Sequence, residues 1–206
     1  MAVAERHAMS VRPLVIKIGG SLAETGRLAP VLAMIGGARI PVVIVPGGGP
    51  FADAVRHLQA EMRFDDAVAH RLAMLAMEQM AECIVGLQPG MTVARSLDDI
   101  SEAVMDGQIP VWAPLQMIGS DKTIPESWDV TSDALAARLA ELLEARLVLL
   151  KSVGARDISS AKDLTREGIV DPVFPEIVAR ADLGWSIFGP NDDAALAALL
   201  TGEGNT

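Results

Sequence analysis

Leu14-Val-Ile-Lys-Ile-Gly-Gly-Ser21 is an apolar run with one lysine near its end and two glycines directly after it. A run of this kind, without polar alternation, reads as a strand buried on both faces, as in a parallel sheet covered by helices. The glycines permit a tight turn at the strand tip, where successive backbone N–H groups form a concavity for an anion. Val42-Val-Ile-Val45, closed by Pro46-Gly-Gly-Gly49, repeats the arrangement.

Around these two segments the same alternation continues. Apolar runs at 91–94, 110–113, 146–150 and 185–188 read as strands. Helical spacing of apolar residues predicts helices over 26–35, 51–60, 65–86, 97–105, 131–145, 172–180 and 192–200. The stretch 114–129 carries two prolines and several polar residues and reads as a functional loop, while 156–171 reads as polar and irregular. Strand–helix alternation without a repeat, linker or low-complexity block predicts an α/β fold with a mainly parallel sheet, in one domain over 1–206 with 1–12 as a flexible extension. In such sheets ligands bind beyond the C-terminal strand ends, which is where each glycine cluster falls.

The 206 residues are 50% hydrophobic and only 3% aromatic, a mixture suited to helices packed on a buried sheet. Seventeen Lys and Arg stand against 27 Asp and Glu, a net charge of −10 with no basic stripe, so no nucleic-acid partner is expected. A phosphorylated metabolite remains compatible, because backbone amides and a few placed lysines hold phosphate whatever the total charge. The single cysteine, Cys83, excludes an intramolecular disulfide framework and a Cys-rich zinc site, and it reads as a buried thiol. No apolar run approaches the ~20 residues of a membrane span, and the opening segment lacks the apolar stretch of a secretory signal, so a cytoplasmic location is expected.

Neither glycine loop fits a Walker A or a Rossmann pattern. Two separate anion-binding loops therefore follow neighbouring strands, one for a donor and one for an acceptor. A third motif, Trp128-Asp-Val-Thr-Ser-Asp133, opens the helix at 131–145, with Thr131 or Ser132 as its cap. Taken alone, Asp133 is a first-turn carboxylate that complements the helix dipole.

Lys17-Ile-Gly-Gly-Ser21, Pro46-Gly-Gly-Gly49 and Asp129-Val-Thr-Ser-Asp133, in this order, resemble the amino acid kinase superfamily. The resemblance spans roughly 14–200 and implies a three-layer αβα sandwich, a kinase activity, and ATP with Mg²⁺ as cofactors. It also implies roles: Lys17 on the transferring phosphoryl group, Gly19, Gly20 and Ser21 around the ATP phosphates, and Gly47, Gly48 and Gly49 on the acceptor. Asp133 would orient Lys17 and the loops. A symmetric homo-oligomer is implied too, with the helix at 65–86 as a candidate interface.

A narrower likeness, to the kinases of methanofuran-type cofactor biosynthesis, is carried by Pro46-Gly-Gly-Gly-Pro-Phe-Ala52, Ala69-His-Arg-Leu-Ala73, Glu126-Ser-Trp-Asp-Val-Thr-Ser-Asp133 and Val170-Asp-Pro-Val-Phe-Pro175. It implies phosphorylation of a phosphate monoester that also bears a furan ring and an ammonium. On that likeness Trp128 is a candidate to stack on the ring, His70, Thr131 and Ser132 to touch the substrate, and Asp129 or Asp171 to meet the ammonium. Two departures stand out. Lys151-Ser-Val-Gly-Ala155 replaces the Thr-Asp-Val-Asp-Gly of many members, and the usual second phosphate-binding lysine is missing near Gly168-Ile-Val-Asp171. Lys151 is the candidate to supply that charge. Kinases acting on uridylate, isopentenyl phosphate or a carboxylate, and a non-catalytic nucleotide or oxyanion store, are the alternatives at this point.

Overall fold

The computed structural model describes residues 12–154 and 160–202, so the expected N-terminal extension, Arg12 aside, lies outside the described residues. Six strands form one sheet: β1 (Leu14–Ile18), β2 (Val42–Pro46), β3 (Met91–Ala94), β4 (Ile109–Trp112), β5 (Arg146–Leu150) and β6 (Trp185–Phe188). Their order is β3-β4-β2-β1-β5-β6, and every pairing is parallel. From β1 the chain builds β2, β4 and β3 on one side, then β5 and β6 on the other. Between β1 and β5 lies the topological switch point, the place where open α/β sheets bind ligands.

The helices are α1 (Leu28–Gly36), α2 (Gly49–Met62), α3 (Asp66–Leu87), α4 (Leu97–Met105), α5 (Leu115–Ile118), α6 (Ser132–Leu142), α7 (Ala161–Arg166), α8 (Phe174–Arg180) and α9 (Asp193–Thr201). They cover both faces, as the three-layer expectation requires. On one face Val15, Val43, Leu147 and Leu149 pack with Leu135, Leu139, Phe174 and Ile177 of α6 and α8. On the other, Leu14, Ile16, Ile18, Val42, Ile44 and Val148 pack with Val31, Leu32 and Ile35 of α1 and with Leu196 of α9. Side chains alternate across a strand, so Lys17 follows Val15 onto the α6 face, and its ammonium points where α6 begins.

Four sequence expectations change. The third glycine of 47–49 belongs to α2, which starts at Gly49 with Pro50 in its first turn, a position where proline's missing N–H costs nothing. The loop at 114–129 contains the short α5. The segment read as irregular holds α7, capped by Ser160, whose Oγ accepts from the Asp163 amide at 3.1 Å. Cys83 is exposed on α3 instead of buried. Among the described residues no helix is long and apolar enough to cross a membrane.

Candidate active site

The two glycine loops touch each other. A Cβ added at Gly20 would lie 2.5 Å from the Gly49 nitrogen and 2.6 Å from its Cα. These are distances no side-chain carbon tolerates, so only glycine fits where the turn after β1 meets the start of α2. Gly49 has φ +52°, the left-handed region open to glycine without penalty. The register explains the approach: Ile18 pairs with Pro46, so both strands end level and their loops leave side by side.

The amides of these loops divide into two groups. Gly19 donates to the Leu150 carbonyl at 3.1 Å and Gly47 to the Ile18 carbonyl at 2.8 Å, extending the sheet by one rung on each side. The N–H groups of Gly19 and Gly47 are therefore engaged in the sheet, and both residues let the backbones approach. Gly20 and Ser21 open a 3-10 turn, and Gly48 and Gly49 open α2. The first amides of a helix have no acceptor within it, and these four residues line the cleft. Ser21 Oγ donates to Ser152 Oγ at 3.0 Å, linking the first loop to the segment after β5.

At the centre are three charged groups drawn from three elements. Lys17 Nζ, near the tip of β1, lies 2.9 Å from Asp133 Oδ1. Lys151 Nζ, just past β5, donates to Asp133 Oδ2 at 2.6 Å. Asp133 stands in the first turn of α6, and both it and Lys17 are under 5% exposed. The Lys17 contact is an ion pair without hydrogen-bond alignment, and among the described residues Oδ1 has no well-directed donor. Burial works to raise the Asp133 carboxyl and is the largest single influence, but the Lys17 and Lys151 ammoniums outweigh it and hold the group below the usual carboxylate range. Lys151 is pulled down to about 8, first by burial and then by Lys17, with Asp133 opposing. Two ammoniums thus share one buried carboxylate, and Asp171 is the next acidic group lining the cleft.

These groups line a cleft of about 450 Å³ bounded by both glycine loops, Thr131, Ser132, Lys151 and Asp171, with Ala73, Met74 and Met77 of α3 as an apolar wall. A larger hollow of about 950 Å³ lies at the other end of the strands, around Leu14, Ile40, Arg146 and Gly184, and contains none of this chemistry.

His70 sits in the cleft wall, 4% exposed. Burial is the main influence and lowers its pKa, with a hydrogen bond to the Ser127 backbone and the charge of Glu126 opposing, so the ring is neutral at pH 7. Trp128 lines the cleft as well, yet its ring is already occupied: Arg56 lies 4.4 Å over it, and Nε1 donates to Gln59 Oε1 at 2.6 Å. The ring thus pins the loop to α2 and packs a guanidinium, a contact worth about 0.5–1 kcal/mol at an exposed site.

Three further candidates stand as follows. Asp171 lines the cleft, and its carboxylate accepts from five protein donors. The Thr131 hydroxyl lines the cleft and donates its one proton to Asp171 Oδ2 at 2.8 Å. Asp129 is exposed and lies outside the cleft lining. The sequence reading passed over Asp53 and Arg56, which line the cleft beside Gly49 and Ala52. Their spacing of three, four and seven residues along one helix was the available signal. The nucleotide-base segment expected after Lys151 falls partly on 155–159, outside the described residues.

A doubly covered parallel sheet with two touching glycine loops at neighbouring strand tips, and two buried lysines beside them, suits the binding of phosphate groups. The chain belongs to the amino acid kinase family, which it matches over residues 12–155. It is 26% identical, over an alignment of 207 positions covering 93% of this chain and 94% of the relative, to [5-(aminomethyl)furan-3-yl]methyl phosphate kinase of Methanocaldococcus jannaschii. The crystal structure of a uridylate kinase from Archaeoglobus fulgidus superposes with a TM-score of 0.69 at 16% identity, over 91% of this chain and 95% of that one. The family and the kinase relative make this chain a phosphotransferase.

Proposed function

We propose that the chain transfers the γ-phosphoryl group of MgATP to an acceptor that already carries a phosphate, namely [5-(aminomethyl)furan-3-yl]methyl phosphate, forming the diphosphate. The observation that carries this reading is the mutual contact of the two glycine loops beneath two ammoniums, an arrangement that suits donor and acceptor phosphates facing each other. The named relative supplies the acceptor.

The residues present fit a polyphosphate: two glycine loops that close on each other at the strand tips, with the Lys17 and Lys151 ammoniums beside them. When bound, MgATP supplies the transferable group and a divalent charge shared between phosphate oxygens. Gly20 and Ser21 would hold the donor phosphates, and Gly48 and Gly49, at the start of α2, the acceptor. Lys17 and Lys151 would meet the charge that spreads over the oxygens of the transferring group, the main demand of this chemistry. Asp133, held ionised, is a weak base. An acceptor that arrives deprotonated needs no strong one: the second ionisation of a phosphate monoester lies near ~6. A phosphate acceptor therefore suits this site better than an alcohol.

The test is a panel of acceptors with MgATP, read by ³¹P NMR for new phosphoanhydride signals. Transfer to the furan phosphate, with uridylate, isopentenyl phosphate and carboxylates turning over at least ~10²-fold more slowly in kcat/KM, is expected. Preference for any of those three would reassign the acceptor, and nucleotide binding without transfer to any acceptor would reject the reading.

Lys151 gives a separate prediction. In the free enzyme its charge is lost as pH rises through about 8, so kcat/KM falls on that limb. Bound phosphates favour the ammonium, so the limb of kcat should lie at higher pH. Lys151→Met should abolish the limb and lower kcat by about 10²-fold or more. A wild-type kcat/KM that stays flat to about pH 9.5, or a Lys151→Met enzyme with wild-type kinetics, contradicts the assignment.

A further inference from the structure

Asp171 lies between α7 and α8, and its two carboxylate oxygens serve two different helices. Oδ2 accepts from the Thr131 amide at 3.0 Å, the Thr131 hydroxyl at 2.8 Å and the Ala134 amide at 2.9 Å, all at the start of α6. Oδ1 accepts from the Val173 amide at 3.2 Å and the Phe174 amide at 2.9 Å, at the start of α8. The α8 side is anchored: Phe174 is fully buried and meets Trp185 of β6 edge to face, with ring centroids 5.8 Å apart. The α6 side is the reactive one, since Thr131 and Ala134 bracket Asp133.

We propose that Asp171 is a positioning residue for phosphoryl transfer, fixing the first turn of α6 to the core so that both oxygens of Asp133 face Lys17 and Lys151. This rests on the kinase reading above. A plain helix cap does not account for the choice of residue. Thr131 already caps α6, through a long contact of 3.4 Å from the Asp133 amide to its hydroxyl. A buried carboxylate here costs stability, because burial first and the neighbouring Asp133 second push it above the usual range while the Ala134 and Thr131 donors pull it back. A neutral Asn or Ser could cap a helix without that cost. What a carboxylate adds is acceptor capacity for five donors at once and a negative charge that favours the Lys151 ammonium. The groups facing Lys151 are then Asp133 and Asp171 on the stabilising side and Lys17 on the other.

Asp171→Asn places an amide N–H₂ against donors on one side. It should fold, lower kcat by about 10²-fold through displacement of Asp133, and change the KM for ATP by less than about threefold. Without the charge, the Lys151 midpoint, followed by lysine ¹³Cε NMR in nucleotide-free protein, should fall below the wild-type value near 8. Asp171→Glu keeps the charge but moves the carboxylate by one methylene. It should restore the midpoint and leave kcat low. A folded Asp171→Asn protein with wild-type kcat overturns the proposal. If that variant does not fold, Asp171→Glu decides, and wild-type kcat there overturns it equally. Should the wild-type protein transfer phosphate to no acceptor, the kinase reading fails on its own. The Lys151 titration still decides the matter, an unmoved midpoint in Asp171→Asn counting against Asp171.

Discussion

Lys17→Met should lower kcat by about 10³-fold, the loss expected when a charge aimed at a developing oxyanion is removed from a dry site. The effect on stability should be small or favourable. Lys17 and Lys151 share one carboxylate, and each burdens the other by like-charge repulsion in a buried place. Removing Lys17 leaves a balanced Asp133–Lys151 pair, and the Lys151 midpoint should rise from about 8 because a neighbouring positive charge is gone. Asp133→Asn should behave in the opposite way. It takes from two buried ammoniums the carboxylate they share, and breaking a buried ion pair typically costs about 3–5 kcal/mol. Thermal melting with kinetics on both variants checks this. A Lys17→Met protein that melts as low as Asp133→Asn, or retains kcat within about tenfold of wild type, would show that Lys17 only balances Asp133.

Gly20→Ala should be nearly as damaging for a purely steric reason. Its methyl group would lie 2.5–2.6 Å from backbone atoms of Gly49, and backbone cannot swing aside as a side-chain tip can. The loops must part by about 1 Å, which for groups held at reaction distance costs about 10²-fold in kcat. Gly86→Ala is the matched control. It sits in α3 with nothing within 4 Å of the added methyl, and should gain about 0.4–1 kcal/mol from lower freedom of the unfolded chain. Kinetics and melting curves on the pair measure both effects. Unchanged turnover in Gly20→Ala would mean that loop contact is incidental.

The sequence reading went furthest where chemistry and periodicity are local. Apolar runs such as Leu14–Ile18 and Val42–Pro46 admit few structures other than buried strands, and glycines at their tips mark the ligand edge. The pairing of Lys17 with Asp133 joins residues more than a hundred positions apart, and it was reached only through resemblance to a family. What stayed hidden depends on tertiary contact. No local signal says that Asp171 serves two helices at once, or that Arg56 lies over Trp128 and so withdraws that ring face from a substrate. The α7 helix was missed although Ser160 followed by Asp163 is a recognisable start, because only six helical residues follow.

The central claim, that donor and acceptor phosphates face each other across the two glycine loops with Lys17 and Lys151 between them, is tested most directly by a crystal structure with a non-hydrolysable ATP analogue and the furan phosphate bound together. The γ-phosphate should lie within hydrogen-bond reach of Lys17 and the Gly20–Ser21 amides, with the acceptor phosphate on Gly48 and Gly49. Nucleotide phosphates seated away from Lys17 and Gly20 would contradict it.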